Sequence, residues 1–218
     1  MGMKCIGIVI SFLICLGIEA QTFTFGPKGG INFASSNFNH RIAASDTVFH
    51  LQTQDAKFGL DGGVFFRFKV KKFYVQPEVL VSQQRSSFSV TSNYDTIGES
   101  KEIQYLKYDF PLNIGVKFGR TFRLNGGIVG SYIFSSFIKN LKNSAIYAVN
   151  LHSNNTQWAY QLGLGFDIRK TVTIDIKYEG NIAEHNATID VSSVTSPFRT
   201  RSNNVQLNFG IALIPFKK

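Results

Sequence analysis

Residues 171–180, TVTIDIKYEG, set Val172, Ile174, Ile176 and Tyr178 on one side of an extended chain and Thr173, Asp175, Lys177 and Glu179 on the other. Residues 203–213, NNVQLNFGIAL, repeat the pattern: Val205, Leu207, Phe209, Ile211 and Leu213 alternate with Gln206, Asn208, Gly210 and Ala212. A helix, whose side chains recur every 3.6 residues, would scatter both sets around its circumference. Working outward, the same alternation predicts eight strands, over 23–34, 57–68, 73–88, 103–118, 121–134, 157–168, 172–182 and 203–216. Their connections alternate in length. Residues 69–72, 119–120 and 169–171 read as tight turns, whereas 35–56, 89–102, 135–156 and 183–202 read as long polar loops. The fold class predicted is all-β, an eight-stranded antiparallel up-and-down transmembrane β-barrel with short periplasmic turns and long external loops.

Alternation does not by itself say which face points outward, because a soluble barrel would use the same period with its apolar face inside. Three features decide it. The face carrying Phe23, Phe25, Val64, Phe66, Leu112, Ile114, Leu162, Leu164 and Leu213 has no charged residue over the middle of the strands, as a lipid face requires when one Lys or Arg at mid-bilayer costs about 2–4 kcal/mol. Glycines favour the polar face (Gly26, Gly30, Gly59, Gly63, Gly115, Gly127, Gly163, Gly165 and Gly210) over the apolar one (Gly29, Gly62, Gly126 and Gly130), which suits a narrow lumen crowded with long side chains. Aromatics gather at the strand ends. Phe68, Phe73, Phe118, Phe122 and Phe216 fall at the lower boundary, and Phe33, Phe58, Phe134, Trp158, Tyr160 and Tyr178 near the upper one, forming two interfacial girdles.

The first twenty residues read as a secretory signal: Lys4 is the positive n-region, residues 5–18 are a short apolar core, and Ala20 precedes the expected cleavage. That run is shorter than the ~18 apolar residues of a membrane-spanning helix. Ile14 before Cys15 argues against lipid attachment, where a small residue is needed. Both cysteines leave with the signal, so the mature domain, residues 21–218, has no disulfide, thiolate metal site or cysteine nucleophile. Charge sorts with the topology. The turns and the C-terminus hold Lys69, Lys71, Lys72, Arg120, Arg169, Lys170, Lys217 and Lys218 and no acid. The predicted lumen holds Lys28, Lys57, Arg67, Lys107, Lys117, Arg123 and Lys177 against Asp61, Glu78, Asp109, Asp167, Asp175 and Glu179. The net charge of +9 therefore lies mostly on the periplasmic rim, where anionic lipid headgroups rather than nucleic acid are the expected partners.

The segments GPKGGINFA, FYVQPEVLVSQQ, YLKYDFPLNIGVKFG, WAYQLGLGFDI, TVTIDIKYEGNI and NNVQLNFGIALIPF resemble the PorT-like outer-membrane β-barrel family of Bacteroidota. The likeness covers essentially the whole mature chain, and its most specific part is Tyr105, Leu106, Asp109, Phe110, Pro111, Leu112 and Asn113. Asp109 lies nearer the proline than the acid of the usual family pattern, so no lumen role is carried over from the family. The resemblance implies an eight-stranded barrel in the outer membrane of a Gram-negative bacterium. It also implies contact with lipopolysaccharide and with the barrel-assembly machinery, and a role beside a secretion or gliding complex.

The lumen charges have two readings. One is a hydrophilic conduit for small solutes, guided by Glu78, Asp109, Asp175, Lys107, Lys117 and Arg123; the other is an ion-pair network that plugs the barrel. An eight-stranded barrel is only just wide enough for its own side chains, and buried charges demand partners, which favours the plug. His40, His50, His152 and His185 all fall in the loops without ligand-like spacing. His152 beside Ser153, and Glu184 beside His185, raise the alternative of a lipid-modifying enzyme. Sequence neighbours point apart in an extended segment, so neither pair makes a dyad. Asp46-Thr47-Val48 and Asp95-Thr96-Ile97 are similar to the Asp-Thr-apolar sites of O-glycan attachment in Bacteroidota, making Thr47 and Thr96 candidates. The expectation is a monomeric structural or interaction barrel with no cofactor, no metal and no catalytic centre; a small-solute porin is the alternative.

Overall fold

The computed structural model describes residues 22–37, 39–44, 47–92, 95–140, 150–153, 156–168, 171–182, 185–191 and 194–214. The signal segment 1–20, Cys5, Cys15, Asp46, Arg169, Lys170, Glu184, Phe216, Lys217 and Lys218 lie outside them. The strands are β1 (Thr22–Asn37), β2 (Asn39–Ala44), β3 (Thr47–Val70), β4 (Phe73–Ser92), β5 (Asp95–Phe118), β6 (Phe122–Asn140), β7 (Asn150–Ser153), β8 (Thr156–Ile168), β9 (Val172–Asn181), β10 (His185–Val191) and β11 (Val194–Ile211). Eight of them form the wall in the order β1-β3-β4-β5-β6-β8-β9-β11, and β11 pairs back onto β1 to close it. Every pairing is antiparallel.

The stagger follows from the register. A line of partners starting at Phe23 passes through Phe68, Val75, Ile114, Gly126, Leu162, Tyr178 and Val205 and returns to β1 at Phe33, ten residues above its start. Eight strands with that stagger tilt by about 40° and enclose a backbone cylinder of about 8 Å radius. Residues two apart on a strand share a face, and the faces sort as the sequence predicts. Ile114, Leu162 and Phe209 stand outward at 62%, 59% and 51% exposure, while Arg123 and Asp175 are fully buried.

Rings mark both ends of the apolar face. Below, Phe23 packs on Phe68 at 5.1 Å between centroids and Phe118 on Phe122 at 6.0 Å; above, Phe33 meets Phe58 at 6.0 Å and Tyr108 meets Phe134 at 4.6 Å. Phe23 and Phe33 are ten residues apart on β1. On a strand tilted as above, that separates the two belts by about 25 Å, the height of an outer-membrane hydrophobic band.

Three expectations need correcting. The long polar loops contain strand. β2 pairs with β3 up to Ala44 opposite Thr47, β4 and β5 stay paired out to Ser92 opposite Asp95, and β10 pairs with both β11 and β7. Beyond the upper belt both faces of a ribbon meet water, so pairing no longer needs an apolar face and the period-two signal fades while the backbone ladder persists. Second, the turn expected at 69–72 is only Lys71 and Lys72, with Lys71 in the left-handed region at φ 54°; Lys69 and Val70 belong to β3. Third, β11 ends at Ile211 rather than at 216, although Ala212 and Leu213 still donate backbone hydrogen bonds to Thr171 and Phe25.

The orientation has a direct test. Leu112, outward and midway between the belts, should on mutation to Lys destabilise the folded barrel by about 2–4 kcal/mol in urea titrations from lipid vesicles.

Candidate functional site

Among the described residues, chemistry-bearing side chains converge in the lumen, and the alternation that builds the wall delivers them there. Of the thirteen lumen charges expected from the sequence, Lys28, Asp61, Arg67, Glu78, Lys107, Asp109, Arg123, Asp167, Asp175, Lys177 and Glu179 are buried, and Lys117 is half-buried at the lower mouth. The thirteenth, Lys57, is half-buried opposite Ala34, at the level of the upper belt.

They form three tiers. In the middle, Lys28 donates to Glu78 at 3.0 Å and to Asp175 at 2.9 Å, and Lys177 donates to Glu78 at 2.7 Å. Below, Asp167 takes Arg67 at 3.1 Å, Arg123 at 2.9 Å and also Lys117, while Arg123 reaches up to Asp175 at 2.8 Å and ties the two tiers together. Gln76 continues the link, accepting from Arg67 and donating to Glu78, each at 2.6 Å. Above, Lys107 lies 3.3 Å from Asp109 and 3.4 Å from Glu179, Ser131 donates to Asp109, and Gln206 donates to Glu179 at 2.9 Å.

Asp61 departs from the expected network. It is inside, directly opposite Ser82 on β4, but makes no ion pair among the described residues, and its polar neighbour, the Asn32 side chain, falls short of good hydrogen-bond geometry. The cations whose fields reach it, Lys28 and Lys177, are already held by Glu78 and Asp175.

Several inward residues complete the packing. The Tyr74 ring lies 5.5 Å from the Arg67 guanidinium and 5.6 Å from that of Arg123, which offsets part of their mutual repulsion. Its hydroxyl accepts from Asn125 at 3.2 Å. A Cβ on Gly165 would fall 2.6 Å from both the Arg123 guanidinium and the Asp175 carboxylate, so that glycine makes room for the pair. By contrast a Cβ on the lipid-side Gly62 would meet nothing nearer than 4.0 Å.

The lower tier is richer in cations than the sequence reading allowed. Lys69, placed there in a turn, lines with Arg67, Lys117, Arg123, Asp167 and Tyr74 a cleft at the periplasmic mouth. Parity with Arg67 two residues earlier was the signal for Lys69, and parity with Glu78 was the signal for Tyr74 and Gln76. Thr47 and Thr96 sit next to the ends of the β2–β3 and β4–β5 hairpins; their side chains, and those of His40, His50, His152 and His185, lie outside the described residues. On the backbone His152 stands opposite Thr188 and His185 opposite Thr200, so these residues occupy paired strands rather than loops.

A closed antiparallel wall, apolar outside between two aromatic belts and ionic within, defines a transmembrane β-barrel. The chain belongs to the outer membrane protein beta-barrel domain family, which it matches over residues 19–184, and this places it in the outer membrane. Its fold is similar to that of AlkL in lipid bilayers (14% identity, 88% of this chain and 90% of that one, TM-score 0.49). It is also similar to that of Ail, the attachment invasion locus protein of Yersinia pestis, in complex with the heparin analogue sucrose octasulfate (13% identity, 88% and 99%, TM-score 0.45). The outer membrane protease OmpT of Escherichia coli is similar at 8% identity over 90% and 96%, with a TM-score of 0.35. No curated protein matches the chain in sequence.

The network makes opposite forecasts for two carboxylates. Asp175→Asn strips the charge that Lys28 and Arg123 share and should cost about 3–5 kcal/mol in urea unfolding from vesicles. Asp61→Asn removes a buried charge that has no partner, and should leave stability equal or raised.

Proposed function

We propose that this protein is a closed membrane anchor, a structural or interaction barrel whose lumen is plugged by its own ion pairs and whose activity lies in what it displays outside the membrane. The observation that carries the reading is the linked network from Lys117 and Arg67 through Asp167, Arg123, Asp175 and Lys28 to Glu78 and Lys177, which crosses a cylinder of about 8 Å radius. Opening a path would separate buried charges, at several kcal/mol for each pair broken. Above the upper belt the paired ribbons β2–β3, β4–β5 and β7–β10–β11 offer the surfaces on which a partner would dock.

The PorT-like segments support a place beside a secretion or gliding complex of a Bacteroidota outer membrane. On this reading the signal segment is removed near Ala20, the barrel-assembly machinery inserts the domain, the barrel works as a monomer against outer-membrane lipid and lipopolysaccharide, and nucleic acid is no partner. It has no catalytic step, so His152→Ala and His185→Ala should change no lipopolysaccharide acyl pattern. Thr47 and Thr96 carry O-glycans on the same reading, seen as added mass on the mature protein and lost in Thr47→Ala and Thr96→Ala.

Two measurements test the anchor. The purified protein in planar bilayers should give no steady, large conductance; such a current would overturn the plug in favour of a small-solute porin. A pull-down from detergent extract should return a reproducible partner complex, and its repeated failure would count against the interaction role.

A further inference from the structure

Among the described residues, the buried side-chain oxygens that no well-formed hydrogen bond reaches include a group on four neighbouring strands of the upper lumen. Asp61, on β3 just below Phe58 of the upper belt, brings both carboxylate oxygens. Its neighbours across the ladder are Gly30 on β1 and Ser82 on β4, and Asn208 on β11 stands opposite Gly30. With no side chain at Gly30, the Asn208 amide lies over β1, the strand between it and Asp61: its Oδ1 is 2.4 Å from where a Cβ of Gly30 would stand. Asn32 lies in the same way over Gly59, two residues from Asp61 on the same face, with its Oδ1 2.5 Å from the missing Cβ. The two amides donate to Gln206 at 3.4 Å and to the Gln83 carbonyl at 3.2 Å, so each keeps its oxygen as a free acceptor, as Ser82 keeps its Oγ. Asn208, Asn32 and Ser82 are at most 3% exposed, and Asp61 keeps 8%, more than any other lumen carboxylate.

We infer that these oxygens bind one alkali cation of sodium size, with the Asp61 carboxylate as its charged ligand and Asn208, Asn32 and Ser82 as its neutral ones. Carboxylate, amide and hydroxyl oxygens are hard donors, suited to hard cations. Charge selects a monovalent ion. One carboxylate balances one positive charge, whereas a divalent ion would keep a second, unbalanced charge within reach of Lys28 and Lys177, whose fields already act on Asp61. Those two lysines are held by Glu78 and Asp175, and the negative field of Asp109 adds to the attraction at Asp61. A single water would take up as much room as the ion but would leave the buried carboxylate charge uncompensated. The residual exposure of Asp61 gives the ion its route of exchange with solvent. The inference extends the closed-lumen reading, and its test reads binding rather than conductance: a large bilayer current would overturn the plug and leave the site standing.

Equilibrium binding of radioactive sodium to the folded barrel in dodecyl maltoside, with choline chloride holding the ionic strength constant, tests the site. Saturable binding of one sodium ion per barrel is expected. Asp61→Asn, which removes the charged ligand, should weaken it about tenfold, and Asn208→Ala, which removes one neutral oxygen, about threefold. Glu102→Gln is an equal charge change on the outer face of the wall, where Glu102 pairs with Arg85, and should leave binding unchanged. Urea unfolding gives a second measure. Exchanging choline for sodium should raise the midpoint of the parent and leave that of Asp61→Asn where it was, because an ion stabilises only the folded state that binds it. Heat-modifiable gel migration confirms that each variant is folded. Absence of saturable sodium binding, parental affinity in Asp61→Asn, or equal weakening by Asp61→Asn and Glu102→Gln would overturn the inference.

Discussion

Closure of the sheet between β1 and β11 is the constraint from which the rest of the molecule follows. In hydrocarbon no water is present to satisfy a free backbone N–H or C=O, and each one left unpaired costs several kcal/mol. The seam runs from Lys28 opposite Gly210 to Asn37 opposite Arg201 and leaves the wall no open edge within the membrane. Closing with eight strands and a ten-residue stagger fixes the radius, and the radius dictates what fits inside. Glycines let charged chains cross, as at Gly165, and aromatic side chains fill gaps: Phe65 packs over Gly210, and Tyr74 over Gly115.

The ionic filling in turn secures the closure. Lys28 meets Asp175 across 147 residues of sequence, and Lys177 meets Glu78 across 99, so the contacts exist only when every intervening strand is in register. A slip of β9 by one residue would turn Asp175 and Lys177 into lipid and bring Ile174 and Ile176 inside, exchanging paired charges for unpaired ones in hydrocarbon. Buried ion pairs contribute little net stability over apolar packing, but their loss on misregister is severe. That asymmetry makes them better suited to selecting one register than to strengthening it.

Much of this was legible in the sequence, and the part that was not has a physical cause. Period two placed Ile174, Leu112 and Phe209 outside and eleven of the thirteen expected charges in the buried interior, with Lys117 and Lys57 half-buried at its two ends, because a lipid face admits no Lys or Asp and so leaves a sharp pattern. The belts were legible at Phe23, Phe68, Phe33 and Phe58 for the same reason. Once the chain leaves the hydrocarbon, as in β2, β7 and β10, the selection stops and the strands read as polar loops. Within the lumen, alternation gives the face of a residue but not its partner. Partners depend on stagger and on where each strand begins, so the isolation of Asp61 and the turn of Lys69 into the mouth were invisible until the register was known.

On the proposed reading of a closed lumen, the tiers give a physical reason why so many charges need not make a pore. A narrow lumen with balanced charge at every level would leave a small ion only the barrier of dehydration, lowered wherever a side chain could replace a water. Among the described residues the balance of charge changes along the axis, with more cations at the lower mouth and more carboxylates above the middle tier. A cation arriving from the periplasm meets the basic cluster first, and an anion arriving from outside meets Asp61, Asp109 and Glu179. An anion that entered at the lower mouth would next meet the balanced middle tier and then the acids beyond it. In a medium where water does little to screen charge, a field that changes sign along the axis opposes the passage of an ion of either charge, as the proposed plug requires.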